Sequence, residues 1–439
     1  MSCIKADSFG YSPQDFAKFK RYAWRYLLMF SFLYCALYCC RLNLSNASAV
    51  MMAELGWTKA DIGILTGTLF WTYGIGQVVN GRLSEIVGTA RFVVFAVLLS
   101  AVANILFSFQ TSIFAMAVLW GINGFFQSMA WTPGIATLTK WWPGNSRGFA
   151  TGFANAFTGF GQVAATLSVA LAFAVLPEMG WRAAFIVPAA IPLAMLVIYM
   201  IFAKPTPSAV GLHEYTENTE EMAKNETAMQ EILRTKGKFY PYKYVLSDRL
   251  FNLWMIVAFS IGLARYGLVT WVPLYFIDQF GIKITDGLLA SLALPVGMGI
   301  GTLVVPWLSD KLYLNNRLRA CTHNAAIGAV AVYVFFLLDP TVMWQLVLIE
   351  ILLFVAGFCI YAINGTAWAF ATDIGGRFFS GTAAGCLNFC AYMGAAVQSL
   401  LYGFLLDAGG WNIVFISIAV FCGLIALLGT LSAAHKTAY

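Results

Sequence analysis

Hydrophobic and polar positions in this chain alternate on the scale of whole segments. Apolar runs of about 20 residues, the length a helix needs to cross a bilayer, occur twelve times. They lie at roughly 26–45, 62–83, 91–109, 113–138, 149–176, 183–203, 251–276, 286–308, 319–338, 343–370, 380–407 and 411–433. Glycine and proline inside them, as in Trp131-Thr132-Pro133-Gly134, are tolerated because neighbouring helices re-satisfy the backbone. The one long polar stretch runs from Ala203 to Asp248. The pattern predicts an all-α membrane protein of twelve transmembrane helices in two pseudo-symmetric six-helix bundles. Its segments are an N-terminal stretch 1–25, bundles at 26–203 and 249–433, a linker at 204–248 and a tail at 434–439.

The two halves repeat one another. Arg41 lies in the first span and Arg265 in the seventh. Gly81-Arg82-Leu83-Ser84-Glu85 follows the first, and Pro306-Trp307-Leu308-Ser309-Asp310 the second. Glu85 comes 44 positions after Arg41 and Asp310 comes 45 after Arg265. Nearly equal spacing with the same preceding serine points to an internal duplication.

Composition agrees, with 60% of 439 residues hydrophobic and 10% charged, against about 25% charged in soluble domains. The net charge of +6 follows from where the bases lie. Lys18, Lys20, Arg21 and Arg25 precede the first span, and Arg82, Arg91, Lys140, Arg147, Lys311, Arg317, Arg319 and Arg377 fall in or beside alternate loops. By the positive-inside rule both termini and the linker are cytoplasmic, and the charge calls for no nucleic-acid partner. No small-residue cleavage site follows the first apolar run, so that run is expected to stay as an anchor.

The nine cysteines lie mostly in apolar spans, where cysteine behaves as a small hydrophobe. They show no metal spacing, and the three histidines form no nucleophilic set with serine and a carboxylate. Neither an enzyme nor a cofactor is expected. The arginines are more informative, because a cation at membrane depth costs a few kcal/mol by insertion scales, about 2.5–3.5, and marks function by default. Tyr34, Tyr38 and Arg41 recur at spacings of four and three, on one helix face, and Tyr73 and Gln77 repeat the spacing on the second span. Tyr361 and Tyr392 join Arg265 in the second half. Guanidiniums grip paired oxygens and phenols donate to them, so the set fits one anion held between two arginines; packing and interfacial belts are the other use of such tyrosines.

With these residues the chain resembles the major facilitator superfamily and, within it, the organophosphate:phosphate antiporter family, which includes glycerol-3-phosphate and hexose-6-phosphate transporters. The loop signature matches at Gly81, Leu83, Glu85, Gly88 and Arg91, with a weaker copy at Asp310. The family-level likeness rests on Tyr38-Cys39-Cys40-Arg41-Leu42-Asn43, the stretch Asn123 to Pro133, Lys140-Trp141-Trp142, Arg265-Tyr266-Gly267, and Gly381 to Gly385 with Tyr392. It implies a monomeric carrier in a bacterial inner membrane whose small-molecule organic anion, exchanged for inorganic phosphate, binds Arg41 and Arg265. Tyr34, Tyr38, Tyr73, Tyr361 and Tyr392 would line the same pocket, with Gln77, Trp131 and Thr158 beside them. Gly81, Glu85, Arg91, Asp310 and Arg317 would form a conformational latch.

The chain departs from the glycerol-3-phosphate transporter pattern. Gln77 replaces a lysine and Thr158 a histidine, while Thr270 and Pro295 stand in place of acids. The arginine pair keeps its charge but loses titratable neighbours. That loss favours exchange over proton symport, which needs a group that changes protonation. It also makes a sugar acid, carboxylate or sulfonate an alternative to a phosphate ester. A proton-coupled symporter and a transporter-like sugar-phosphate sensor remain as alternatives. Asn123, Asn155, Asn364, Trp368 and Gln398 are further candidates for the organic part of the pocket.

Overall fold

The computed structural model describes residues 11–142, 144–213, 228, 231–237, 239–313 and 317–436. Its helices are α1 (Pro13–Leu37), α2 (Asn43–Leu55), α3 (Lys59–Val87), α4 (Thr89–Ser108), α5 (Ile113–Leu138), α6 (Gly144–Val175) and α7 (Ala183–Phe202). After the linker come α8 (Tyr240–Ser247), α9 (Arg249–Phe280), α10 (Ile284–Ala290), α11 (Ala293–Leu312), α12 (Arg317–Phe336), α13 (Met343–Gly409) and α14 (Trp411–Lys436). Eleven stretches of the described residues are long and apolar enough to cross a membrane. The remaining predicted span, 62–83, lies in α3, whose 29 residues also suffice at 1.5 Å each.

Local sequence sets the ends of these helices. Thr58 and Asp61 form a capping box at the start of α3, and Asp248 accepts the Leu250 and Phe251 amides at the start of α9. Gly56 (φ 68°) ends α2 and Gly281 (φ 62°) ends α9. They lie 15 and 16 positions beyond Arg41 and Arg265, so the duplication extends to the helix stops, where glycine takes the left-handed conformation without penalty.

Four predicted spans differ in form. The first is interrupted: after α1 the chain makes a 3-10 turn at Tyr38–Cys40 and resumes as α2. The eighth, 286–308, breaks at Ser291-Leu292 between α10 and α11. The tenth and eleventh run on from one another as the 67 helical residues of α13. The chain nevertheless folds back within it. Tyr361 lies against Arg265 and Tyr392 against the adjacent Tyr266, with contacts of 4.1 and 6.1 Å. A straight helix would separate two residues 31 positions apart by about 46 Å.

Small residues let the helices approach closely. A Cβ on Gly262 of α9 would lie 1.8 Å from the Ala391 carbonyl oxygen of α13, and one on Gly297 would lie 2.1 Å from the Phe354 oxygen. Gly262→Ala is therefore expected to push α9 and α13 apart at a cost of about 1–3 kcal/mol or more, lowering the melting temperature in detergent by several degrees. An unchanged melting curve would contradict this contact.

The two bundles also meet through glycine. A Cβ on Gly63 would clash with the Ser399 oxygen at 2.4 Å, and one on Gly159 with the Gly299 nitrogen at 2.3 Å. On the face of the Gly56 and Gly281 turns, called distal below, polar groups tie the bundles together. Lys59 Nζ pairs with Asp278 at 2.9 Å, and the Trp411 indole donates to the same carboxylate at 2.7 Å. Asp407 accepts the Lys59 and Ala60 amides at 3.2 and 2.9 Å, so an acid of the second bundle caps α3 of the first. Asp407→Ala is expected to accelerate hydrogen exchange at the Ala60 amide by roughly 10-fold or more, the worth of a hydrogen bond to a charged group. Mass spectrometry of peptides covering 57–65 checks this.

At the opposite face the start of the linker is pinned to α1. Lys18 Nζ donates to the Val210 carbonyl at 2.7 Å, and the Tyr11 hydroxyl to that of His213. Of the expected latch, Arg91 is exposed, and the side chains of Gly81, Glu85, Asp310 and Arg317 lie outside the described residues.

Candidate anion-binding site

Arg41 stands at the helix interruption, which frees carbonyls that a continuous helix would have used. Side chains of α4 and α5 meet them. Gln127 donates to the Leu37 oxygen (3.1 Å), while Asn104 and Asn123 donate to the Cys40 oxygen (3.1 and 2.8 Å). Ser100 links Asn123 to Gln127 at 2.7 Å each, and Asn43 donates to Asn104 at 2.8 Å. Irregular backbone at membrane depth persists where protein satisfies it, and this network supplies that satisfaction.

The same network orients the guanidinium. Gln127 Oε1 accepts from Arg41 Nε at 3.2 Å and Nη2 at 3.0 Å, while its NH2 group is held by Leu37 and Ser100. The rings of Tyr38 and Tyr73 each lie 4.6 Å from the Arg41 guanidinium carbon, and that of Tyr34 lies 6.0 Å away. Their electron-rich faces stabilise the buried cation. The nitrogen left over is Nη1, buried and without a partner.

Arg265 sits mid-way along the uninterrupted α9, between the rings of Tyr266 (4.5 Å) and Tyr361 (4.1 Å). Its Nε and Nη2 are buried and unpartnered. Aromatic rings span the gap between the arginines: Tyr73 packs on Tyr392 at 4.4 Å, and Tyr392 on Tyr266 at 6.1 Å. Tyr34 and Tyr73 face each other hydroxyl to hydroxyl at 3.5 Å. Trp131 packs on the Tyr34 ring at 4.8 Å. Thr158 shares a hydrogen bond with the Tyr361 hydroxyl across the bundles. Gln77 accepts from Thr132 at 2.8 Å, leaving its amide nitrogen free.

The buried, unpartnered groups thus include Arg41 Nη1, Arg265 Nε and Nη2, the Tyr266 and Thr270 hydroxyls and Gln77 Nε2. All can donate. No Asp or Glu is buried among the described residues, and neither arginine is in an ion pair there. Two desolvated cations without a counter-charge cost several kcal/mol each unless an acceptor-rich anion joins them.

Nine of the residues picked from the sequence are therefore linked through these contacts, while Gln77 contacts Thr132; the interruption at Tyr38–Cys40 replaces the continuous helix expected to align Tyr34, Tyr38 and Arg41. Tyr266 and Gln127 were not among them. Three candidates for the organic pocket are engaged otherwise: Asn123 sits behind Arg41, Asn155 Oδ1 accepts from Tyr361 at 3.4 Å, and Gln398 accepts from Trp271 at 3.1 Å. The Trp368 side chain lies outside the described residues, and Asn364 is half-buried.

The chain is 28% identical to a "Probable hexose phosphate transport protein" of Chlamydia pneumoniae over 94% of this chain and 92% of the relative. It is 27% identical to a glycerol-3-phosphate transporter of Bacillus subtilis over 89% and 87%. Its fold matches the inward-facing, unoccupied crystal structure of a bacterial homolog of the human lysosomal transporter Spinster. There the TM-score is 0.73 at 16% identity, covering 94% of this chain and 98% of that one. Residues 30–399 match the model of the Major Facilitator Superfamily. An integral, multi-pass membrane protein rather than an enzyme, the chain belongs to that superfamily, and relatives of it are named as hexose phosphate and glycerol-3-phosphate transporters.

Proposed function

We propose that the protein exchanges an organophosphate, most simply a sugar phosphate, for inorganic phosphate across a bacterial inner membrane, as a monomer with both termini in the cytoplasm. The observation that carries this proposal is the pair of buried guanidiniums with three unpaired N–H-bearing nitrogens and no carboxylate partner among the described residues. The names of the two relatives above support a phosphate ester, and the basic residues of alternate loops support the orientation.

In this scheme the phosphoryl group bridges Arg41 and Arg265, and the surrounding tyrosines, Gln77, Trp131 and Thr158 complete the pocket. With the site empty, two like charges oppose approach of the bundles. A shared anion removes that repulsion and stabilises the occluded state relative to the open ones. The loaded carrier rocks and the empty one reorients slowly, which makes exchange obligatory. The tie of Lys59, Asp278 and Asp407 closes the periplasmic side, and Glu85 with Arg91 and Asp310 with Arg317 close the cytoplasmic side in the alternate state.

The test is uptake of labelled phosphate into proteoliposomes preloaded with phosphate, glucose-6-phosphate, glycerol-3-phosphate, a hexuronate or buffer. Uptake confined to vesicles loaded with phosphate or a phosphate ester is expected. Equal uptake into buffer-loaded vesicles that a protonophore abolishes would replace exchange by symport, and binding without flux would replace it by a sensor.

A further inference from the structure

Beyond the arginines, on the distal side, the bundles border a part-open cavity of about 20 Å³, enough for one water-sized group. Leu42 and Asn46 border it after the first helix interruption, Ser291 at the second, Gln162 and Thr166 on α6 and Val269 on α9. These positions follow the anion site in register. Asn46 is five residues past Arg41, Gln162 four past Thr158 and Val269 four past Arg265, about one helical turn or 6 Å further along. Both broken spans thus meet at this cavity, and interrupted helices are where secondary carriers build ligand sites.

Its polar groups are specific in kind. Asn46 Nδ2 and Gln162 Oε1 are buried and unpartnered, with side chains 4% and 3% exposed. The Thr166 hydroxyl donates to Asn46 Oδ1 at 3.5 Å, and the Asn46 amide nitrogen is the free donor. One free donor and one free acceptor, set among Leu42 and Val269, complement a single hydroxyl group, which accepts one hydrogen bond and donates another. They carry no charge and so do not compete for the phosphoryl group.

Building on the exchange function above, we infer that Asn46 and Gln162 form a hydroxyl-binding subsite for the organic part of the substrate. When the distal side opens, the ester lies with its phosphoryl group on the arginines and a hydroxyl between the two amides. A hydroxyl about one helical turn from the phosphoryl group belongs to a phosphorylated polyol or sugar, and inorganic phosphate cannot reach it. The subsite therefore separates ester from phosphate without altering the phosphate grip.

The experiment uses the full chain in phosphate-loaded proteoliposomes. It measures inhibition of phosphate:phosphate exchange by glucose-6-phosphate and each of its single-deoxy analogues, in wild type, Asn46→Leu and Gln162→Leu. One deoxy analogue is expected to inhibit the wild type roughly 5- to 150-fold more weakly than the parent sugar, the worth of one buried hydrogen bond. Each variant should weaken the parent sugar by a similar factor and leave that analogue and the KM for phosphate unchanged. If every deoxy analogue inhibits the wild type like the parent, the subsite is overturned without recourse to any variant. A parallel rise in the KM for phosphate would overturn it too, leaving a cavity with a resident water only. Absence of phosphate exchange in the wild type would overturn the exchange function itself, and this inference with it.

Discussion

Arg265→Lys is expected to reduce phosphate exchange by about 10²-fold or more while the protein still folds and inserts. Arg265 presents two unpaired nitrogens from one planar group, and a lysine ammonium cannot grip two oxygens from that position. Losing one side of a desolvated, hydrogen-bonded charge pair costs about 2–5 kcal/mol, or roughly 30- to 5000-fold in affinity. Lysine keeps the charge, so the deficit isolates geometry from net electrostatics. Initial rates of labelled phosphate counterflow check it, with the melting temperature as the control for folding. Exchange within 3-fold of wild type would remove Arg265 from the site.

Gln127→Glu is expected to abolish exchange through a different route. Gln127 Oε1 already accepts from two Arg41 nitrogens at 3.0 and 3.2 Å, so a carboxylate there would pair with the guanidinium in nearly the same geometry. Arg41 would be neutralised from behind and lose its hold on an external anion. The substituted acid also lacks the NH2 group that serves the Leu37 carbonyl and Ser100, at about 1–3 kcal/mol for the acceptors left unmet. Gln127→Leu separates the two effects, because it removes the bonds without supplying charge. Full loss in the glutamate variant and partial loss in the leucine variant is the expected order, measured by phosphate counterflow. The reverse order would show that Gln127 matters for the backbone and not for the charge.

Part of this arrangement is legible in the sequence because charge and length are strong signals. Twelve apolar runs stand out when only 10% of residues are charged, and an arginine inside such a run has few structural roles. The helix interruption at Tyr38–Cys40 left no such mark. Neither glycine nor proline lies between Leu37 and Leu55, and the break persists because Asn104, Asn123 and Gln127, on two other helices, serve the carbonyls it frees. A cluster of amides inside separate apolar runs was the available hint, yet only their meeting in space gives it meaning. Tyr266 escaped for a geometric reason. Adjacent helical residues point about 100° apart, so spacing alone does not pair Tyr266 with Arg265, but its ring folds back over the guanidinium. The fold-back within α13 shows the converse, since hydropathy separates two spans that run on from one another as helix.

The two arginines occupy matching places in a duplicated chain, yet they are mounted differently. Arg41 is clamped by Gln127 behind a break whose Leu37 and Cys40 carbonyls are met by side chains, whereas Arg265 lies against the ring faces of Tyr266 and Tyr361 on an unbroken helix. Arg41 is thus the more firmly anchored of the two. On the exchange function proposed above, the first bundle would then be the reference frame of the cargo, with the second adjusting its grip to the anion, large or small, that Arg41 has caught.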